Sequence, residues 1–420
     1  MSKIIYLDNN ATSRLAEEVL EAMLPYMREF YGNASSMHTF GGLLHHKIDA
    51  ARGQVAELLH ADPQEIIFTS GGTESDNAAL HGVLASQPQK RHIITTRVEH
   101  PAVRATCRIL QRQGYRLTEL PVDPLGQIDL RELEEAITEE TALVTIMFAN
   151  NETGVIFPIE EIARMVKAKG AILHTDAVQA VGKLPIDLAK TPIDLLSMSG
   201  HKLHGPKGVG FLYVRRGTSF QPYMTGGHQE NGRRAGTENV AGIVGLGAAC
   251  ALARQDMKKE ATHVSKLRDK LESGLLRDCP DARVNGDRVH RLPNTTNISF
   301  EYVEGEAILL RLDAKGICAS SGSACTSGSL EPSHVLRAMG VPFTAVHGSI
   351  RFSLSRYNND AEIDFVIQEM PGIIKLLRQM SPFGPGNAFT PEAPYEKEAI
   401  ELDGAVIEME VDHRHNHARK

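Results

Sequence analysis

The sequence predicts an α/β protein with a mostly parallel seven-stranded sheet flanked by helices, followed by a smaller α/β domain. Three observations carry this expectation. Strand-like and helix-like segments alternate from about residue 16 to 215. After Glu238 one long helical stretch leads into a second section of strands and helices. A chain of 420 residues has room for two or three domains.

The strands are expected at 65–70, 91–98, 117–122, 142–149, 171–176, 194–199 and 209–214, each a short apolar run rich in β-branched residues and bounded by turn or charged residues. Helices are expected at 16–30, 43–59, 73–84, 102–113 and 159–169, where apolar residues recur at spacings of three and four. Such alternation argues a parallel sheet with helices on both faces. Residues 239–276 read as one helix, apolar first and charged later. Beyond it, 296–302 and 350–354 read as strands and 305–312, 333–339 and 361–378 as helices. The expected division is a large domain at 16–259, a small domain at 1–15 and 260–380, and a linker and tail at 381–420. Residues 381–395 hold four prolines and two glycines, and the tail carries eight acidic against four basic residues with three histidines near its end. That ending resembles a solvated tail or a weak metal-binding tract.

Composition excludes several function classes. Hydrophobic residues are 42% and charged residues 23%, as in globular domains. A net charge of −7 offers no footprint for a nucleic-acid backbone, and 5% aromatics without tryptophan offer no stacking platform for bases. No apolar run reaches about 18 residues, and polar residues come too early at the N-terminus for a secretory leader. A cytoplasmic location is therefore expected. The five cysteines, Cys107, Cys250, Cys279, Cys318 and Cys325, are odd in number and form no C-x-x-C pair. Neither a zinc ribbon nor a disulfide framework is expected, and no metal ligand set is assigned. Four of these thiols read as packing residues or bystanders. Cys325 stands among small polar residues, ASSGSACTSGSLEP, a setting suited to a reactive thiol on a loop.

Other segments could carry chemistry. In Ser199-Gly-His201-Lys202-Leu-His-Gly-Pro-Lys-Gly208, an irregular loop follows a strand, where open α/β sheets place ligands. Lys202 is a Schiff-base candidate there, and a solvated basic loop is the plain alternative. Asp176 ends a strand in HTDAVQ; it could face a protonated ring nitrogen or merely cap a helix. Gly71-Gly72-Thr73 lies between a strand and a helix, where backbone N–H groups bind phosphate, although ordinary turns look the same. His100 ends a strand just before Pro101 and could stack on a ring and move protons, or be structural. Arg351 on a small-domain strand could clamp a carboxylate. Asn151 follows a strand and Thr237 precedes the long helix, each with a simple cap or surface pair as alternative.

Together these pieces resemble the cysteine desulfurases of the class V aminotransferase superfamily, most closely the nitrogen-fixation type. The resemblance runs from Tyr6-Leu-Asp-Asn-Asn-Ala-Thr12 to about Pro382, and its most specific motifs are SGHKLHGPKGVG, HTDAVQAVGK, GGHQENGRRAGTEN and SSGSACTSGSLEPSHV. It implies the fold-type I architecture of pyridoxal-phosphate enzymes, with pyridoxal 5'-phosphate held covalently by Lys202. It implies that Asp176 pairs with the ring nitrogen, that Gln179 and Asn151 contact the ring oxygen or substrate, and that Gly72, Thr73, Ser199 and His201 bind the phosphate. Thr237 would join them from the other subunit of a homodimer. His100 would stack on the ring as acid–base, Arg351 would hold the carboxylate of L-cysteine, and Cys325 would take the sulfur as a persulfide. L-Alanine would leave. A scaffold protein of the NifU/IscU type would receive the sulfur for iron–sulfur cluster assembly, with Cys325 touching a nascent cluster only transiently. Nitrogenase maturation is the expected setting.

Two departures stand out. Gly32-Asn33-Ala34-Ser35-Ser36 has alanine where the family usually has proline, and the tail beyond Pro382 does not follow the family pattern. A selenocysteine lyase or another class V enzyme is the alternative activity. A sulfur- or metal-carrying scaffold using Cys325 and the tail histidines is the non-enzymatic one.

Overall fold

Seven strands form the central sheet of the computed structural model, which describes residues 4–321 and 332–381. In chain order the elements are β1 (Ile5–Tyr6), α1 (Glu17–Arg28), α2 (Thr39–Leu59), β2 (Ile66–Thr69), α3 (Gly72–Ser86), β3 (His92–Thr96), α4 (Pro101–Arg112), β4 (Arg116–Leu120), α5 (Leu130–Ala136), β5 (Thr141–Thr145), α6 (Ile159–Ala168), β6 (Ile172–Asp176), β7 (Leu195–Ser199) and β8 (Gly210–Val214). There follow α7 (Val240–Asp278), β9 (Ala282–Val284), β10 (Thr295–Phe300), α8 (Gly305–Asp313), β11 (Ile317–Cys318), α9 (His334–Ala338), α10 (Phe343–Val346), β12 (Ser349–Ser353) and α11 (Asp360–Met380).

The sheet runs β2-β8-β7-β6-β5-β3-β4. Only β8 opposes its neighbours, pairing antiparallel with both β2 and β7. Side chains alternate between its faces because strand residues point up and down in turn. Ile66, Phe68, Leu196, Phe211 and Tyr213 join a core beneath α1, α2, α6 and the start of α7. Ile67, Leu195, Leu212 and Val214 instead pack under α3 and α4. Burial on both faces explains the uninterrupted apolar runs in the sequence.

A second core gathers Ile5 and Leu7, Val264, Leu267, Leu271 and Leu275 of α7 with Cys279 just past its end, and side chains of β10, β12, α8 and α11. Helix α7 serves both cores, its first half through Leu246 and Ala253 and its second through Leu267 and Leu271. Both cores lie in one unit, Met1–Ser381.

All seven expected sheet strands and all the expected helices are present. Strand β5 is shorter than the expected 142–149, because the Met147 N–H turns to the Glu99 carboxyl at 3.0 Å. The sequence pattern missed β1, β9, β11, α5 and the four-residue α10.

Candidate active site

The parallel strands deliver their carboxyl ends to one place. Asp176 is the last residue of β6, and Lys202 follows β7, the adjacent parallel strand, on a tight 3-10 turn at Gly200–Lys202. His100 lies just past β3 and caps α4, its Nδ1 accepting the Ala102 N–H at 3.2 Å. Asn151 lies in the turn after β5. These positions are the crevice where open α/β sheets bind ligands.

The charges in this crevice act on one another. Burial pulls the His100 imidazole below its usual pKa, helped by Lys202 and opposed by Asp176. Asp176 is buried, and its Oδ1 accepts the Val178 N–H at 2.9 Å. No helix follows Asp176, whose segment runs through turns at 178–183, so this contact closes a turn and is not the helix cap expected as the plain alternative. Lys202 Nζ donates to the Asn10 and Ala11 carbonyls at 2.6 and 2.7 Å.

The start of α3 provides a bare backbone cradle. Gly71 has a φ of +152°, a conformation that side chains disfavour, and a Cβ on Gly72 would come within 2.8 Å of Val178 Cγ2. The Ser199 hydroxyl faces this turn, 3.5 Å from where a Gly71 Cβ would stand. Thr73 is exposed on the first turn of the helix. His201 completes the neighbourhood by sequence, one residue before Lys202. Burial, then the charges of Lys202, Lys207 and Lys183, lower its pKa to about 4, and its Nδ1 meets Thr12 Oγ1 at 3.1 Å.

The N-terminal segment binds the crevice together. The Asn10 carbonyl accepts from Lys202 and from Gln179 Nε2, and its side chain donates to the Asn151 carbonyl at 3.1 Å. Arg351, at the centre of β12, is 3% exposed. Its Nη1 donates to the same Asn151 carbonyl and its Nη2 pairs with Asp8 at 2.6 Å, while its Nε makes no hydrogen bond among the described residues.

Thr237 is exposed on the loop before α7, and no contact among the described residues ties it to this group. Cys325 lies outside the described residues. Both flanks of its segment are anchored at the site. Ser320 exchanges backbone hydrogen bonds with Arg351 at 3.2 and 2.7 Å. On the other flank Ser333 bonds the buried Glu152 carboxyl at 2.5 Å, and His334 Nε2 meets the carbonyl of Glu99 at 3.0 Å.

The sequence left Asp8, Asn10, Asp76, Glu99, Glu152 and Lys183 unassigned, and the structure brings them all to this region. Asp8 and Asn10 stand in the quoted N-terminal motif, which was the available signal. The remaining four thiols fit the packing assignment: Cys107, Cys250 and Cys279 are buried, and Cys318 on β11 is half-buried. Among the described residues no helix is long and apolar enough to cross a membrane.

Known proteins offer close matches. The family pattern described as aminotransferase class V matches residues 5–366. A cysteine desulfurase of Trichormus azollae is 62% identical over 380 residues, covering 90% of this chain and 95% of that relative. The cysteine desulfurase NifS of Azotobacter vinelandii is 57% identical over 384 residues, covering 91% and 96%. A solved NifS-like protein superimposes with a TM-score of 0.84 at 42% identity, covering 89% of this chain and all of that one.

Proposed function

The chain belongs to the class V aminotransferase family and acts as a cysteine desulfurase, and from that premise we propose which of its residues do the work. The convergence of Asp176, His100 and Lys202 at neighbouring strand ends carries the reading.

The family depends on pyridoxal 5'-phosphate, and the residues here suit it. The Gly71-Gly72 turn opens α3, whose first backbone N–H groups have no partner within the helix, and Ser199 borders it. We assign the phosphate to Gly72, Thr73, Ser199 and His201, with Thr237 of a second copy, and the ring to Asp176, His100, Gln179 and Asn151. Lys202 supplies the amine that holds the cofactor. When bound, the cofactor serves as an electron sink for the substrate's α-carbon.

The protein's own groups do the rest. Arg351 holds the carboxylate of L-cysteine through its buried guanidinium. Lys202 takes the α-proton, and His100, neutral because of its burial, exchanges protons on the other side. The Cys325 thiolate attacks the substrate sulfur. A sulfur–sulfur bond forms, and the carbon–sulfur bond breaks with its electron pair left on carbon. That carbon takes a proton to become a methyl group, Lys202 returns the proton to the α-carbon, L-alanine leaves, and Cys325 keeps the sulfur as a persulfide. A protein acceptor then collects it. We infer a scaffold of the NifU/IscU type, iron–sulfur cluster assembly and a nitrogenase setting, on the strength of the similarity to NifS. We also infer a cytoplasmic homodimer. The exposed Met27, Tyr31, Met37 and Leu43 on and between α1 and α2 support a second copy. The large and small domains, at 16–259 and at 1–15 with 260–380, remain our division; the core that joins Ile5 and Leu7 to residues 264–374 supports it, while Val335, Leu336, Met339 and Val346 pack with the large core.

The test is L-alanine and sulfide production by the purified chain loaded with pyridoxal phosphate. Cys325→Ala should lose persulfide formation and most turnover, whereas full-rate desulfuration by that variant would overturn the assigned role. Persulfide transfer to a purified scaffold protein checks the acceptor.

A further inference from the structure

Lys183 lies four residues past Gln179, and its Nζ donates to Gln179 Oε1 at 2.8 Å. Gln179 Nε2 donates in turn to the Asn10 carbonyl at 3.0 Å, which also accepts from Lys202 Nζ at 2.6 Å. A line of hydrogen bonds therefore joins the two lysines through one amide and one carbonyl. Lys183 and Lys202 also line the same cavity, with Ser13, Leu203, His204 and Glu260.

A glutamine amide has a donor end and an acceptor end of nearly equal shape, so its neighbours decide which way it points. A lysine ammonium only donates. Placed on Oε1, it obliges the NH2 group to face Asn10 and the crevice of Lys202. We propose that Lys183 is a positioning residue that locks the Gln179 amide with its N–H donors toward the cofactor site. This rests on the assignment of Gln179 to the cofactor.

The charge on Lys183 matters to the lock, because a neutral amine can also accept and would release the amide. Burial, then the charges of Lys202 and Arg351, lower its pKa to about 7, against Glu260. His204 and Arg356 face the same cavity. The lock is therefore firm on the acid side of neutrality and slackens above it.

The experiment titrates pyridoxal phosphate into cofactor-free wild type, Lys183→Met, Lys183→Arg and Gln179→Ala, reading the dissociation constant and absorption band from pH 6 to 9. Lys183→Met should weaken retention about 10-fold, the scale of one charge-assisted hydrogen bond, and flatten its pH dependence. Lys183→Arg should restore retention but leave it flat with pH, because a guanidinium stays charged from pH 6 to 9. In the Gln179→Ala background Lys183→Met should add nothing. Wild-type retention in Lys183→Met, or an undiminished effect without Gln179, overturns the proposal. If the wild type itself binds no pyridoxal phosphate, the cofactor assignment falls first and this one with it.

Discussion

Asp76 and Asp176 place two buried carboxyls side by side, with oxygens within 4.8 Å of each other and of the His100 ring. Asp76 Oδ1 makes no hydrogen bond among the described residues. The nearby His174 Nε2, 3.6 Å away, bonds Ser197 Oγ at 2.8 Å, and its Nδ1 meets Thr145. Burial brings His174 down to about 3, so it stays neutral and offers Asp76 no charge. Two carboxylates this close and this dry cannot both ionise. Burial, then the charge of Asp176, holds Asp76 well above the usual range, against a hydrogen bond from Ser197. Burial raises Asp176 as well, but His100, then the Val178 N–H and the charge of Lys202, oppose that rise and favour its ionised form.

Asp76→Asn should therefore fold and load cofactor nearly as wild type does. Its infrared difference spectrum against wild type at pH 7 should show the loss of a protonated-carboxyl C=O band. A difference confined to ionised carboxylate bands would assign the proton to Asp176 instead.

His100→Gln should lower the rate of alanine formation about 10²–10⁴-fold, the usual scale for a lost acid–base group. Because burial lowers the imidazole's pKa, wild type should hold its rate into mildly acidic solution. The variant should lose the acid limb of the pH–rate profile, and an unchanged limb would assign it to another group.

Arg351→Ala removes the buried guanidinium and should cut kcat/KM for L-cysteine about 10–100-fold, one charged hydrogen bond's worth. Arg351→Lys should recover little, because a point charge cannot repeat the contacts to Asp8 and the Asn151 carbonyl. Steady-state kinetics on both variants decides this.

Glu99 predicts how stability varies with pH. Burial first, then the charge of Asp176, raises its carboxyl to about 8, against the Met147 and Thr96 hydrogen bonds. Between about 4.5 and 8 the unfolded chain releases this proton and the folded one keeps it. The contribution is full below that window and lost as pH rises through it, at no more than about 1.4 kcal/mol per pH unit. Glu99→Gln mimics the protonated form. Its melting temperature should gain on wild type as pH rises from 6 to 8.5, and a gap that narrows instead would count against the raised pKa.

The large elements were legible because their patterns are long. A buried strand such as β5 is five apolar or β-branched residues in a row, and α4 repeats its apolar face over three turns. Lys202, Asp176 and His100 stood out for another reason: they are polar residues at strand ends, Lys202 two residues after a glycine and His100 just before a proline. What escaped lacked either signal. Strands β1 and β11 have two residues each, too few for any period, and exist through their mutual pairing. Asp76 sits inside α3, where an acid looks solvent-facing until the fold presses it against the sheet. Lys183 is four residues from Gln179 on a loop, and only the folded path turns that spacing into a hydrogen bond. The assignment of Cys325 rests on its sequence setting alone.

The anchors on either side of Cys325 set a working radius. Ser320 is fixed to the backbone of Arg351, and Cys325 comes five residues later. Five residues extend no more than about 18 Å, at roughly 3.6 Å each. On the roles proposed above, the Cys325 sulfur is on a short leash, working within that radius of Arg351, the proposed clamp for the substrate's carboxylate. An acceptor must bring its receiving thiol inside that radius, which favours a projecting group over a deep pocket. Extra residues between Ser321 and Ala324 would lengthen the leash and widen the range of partners it can serve.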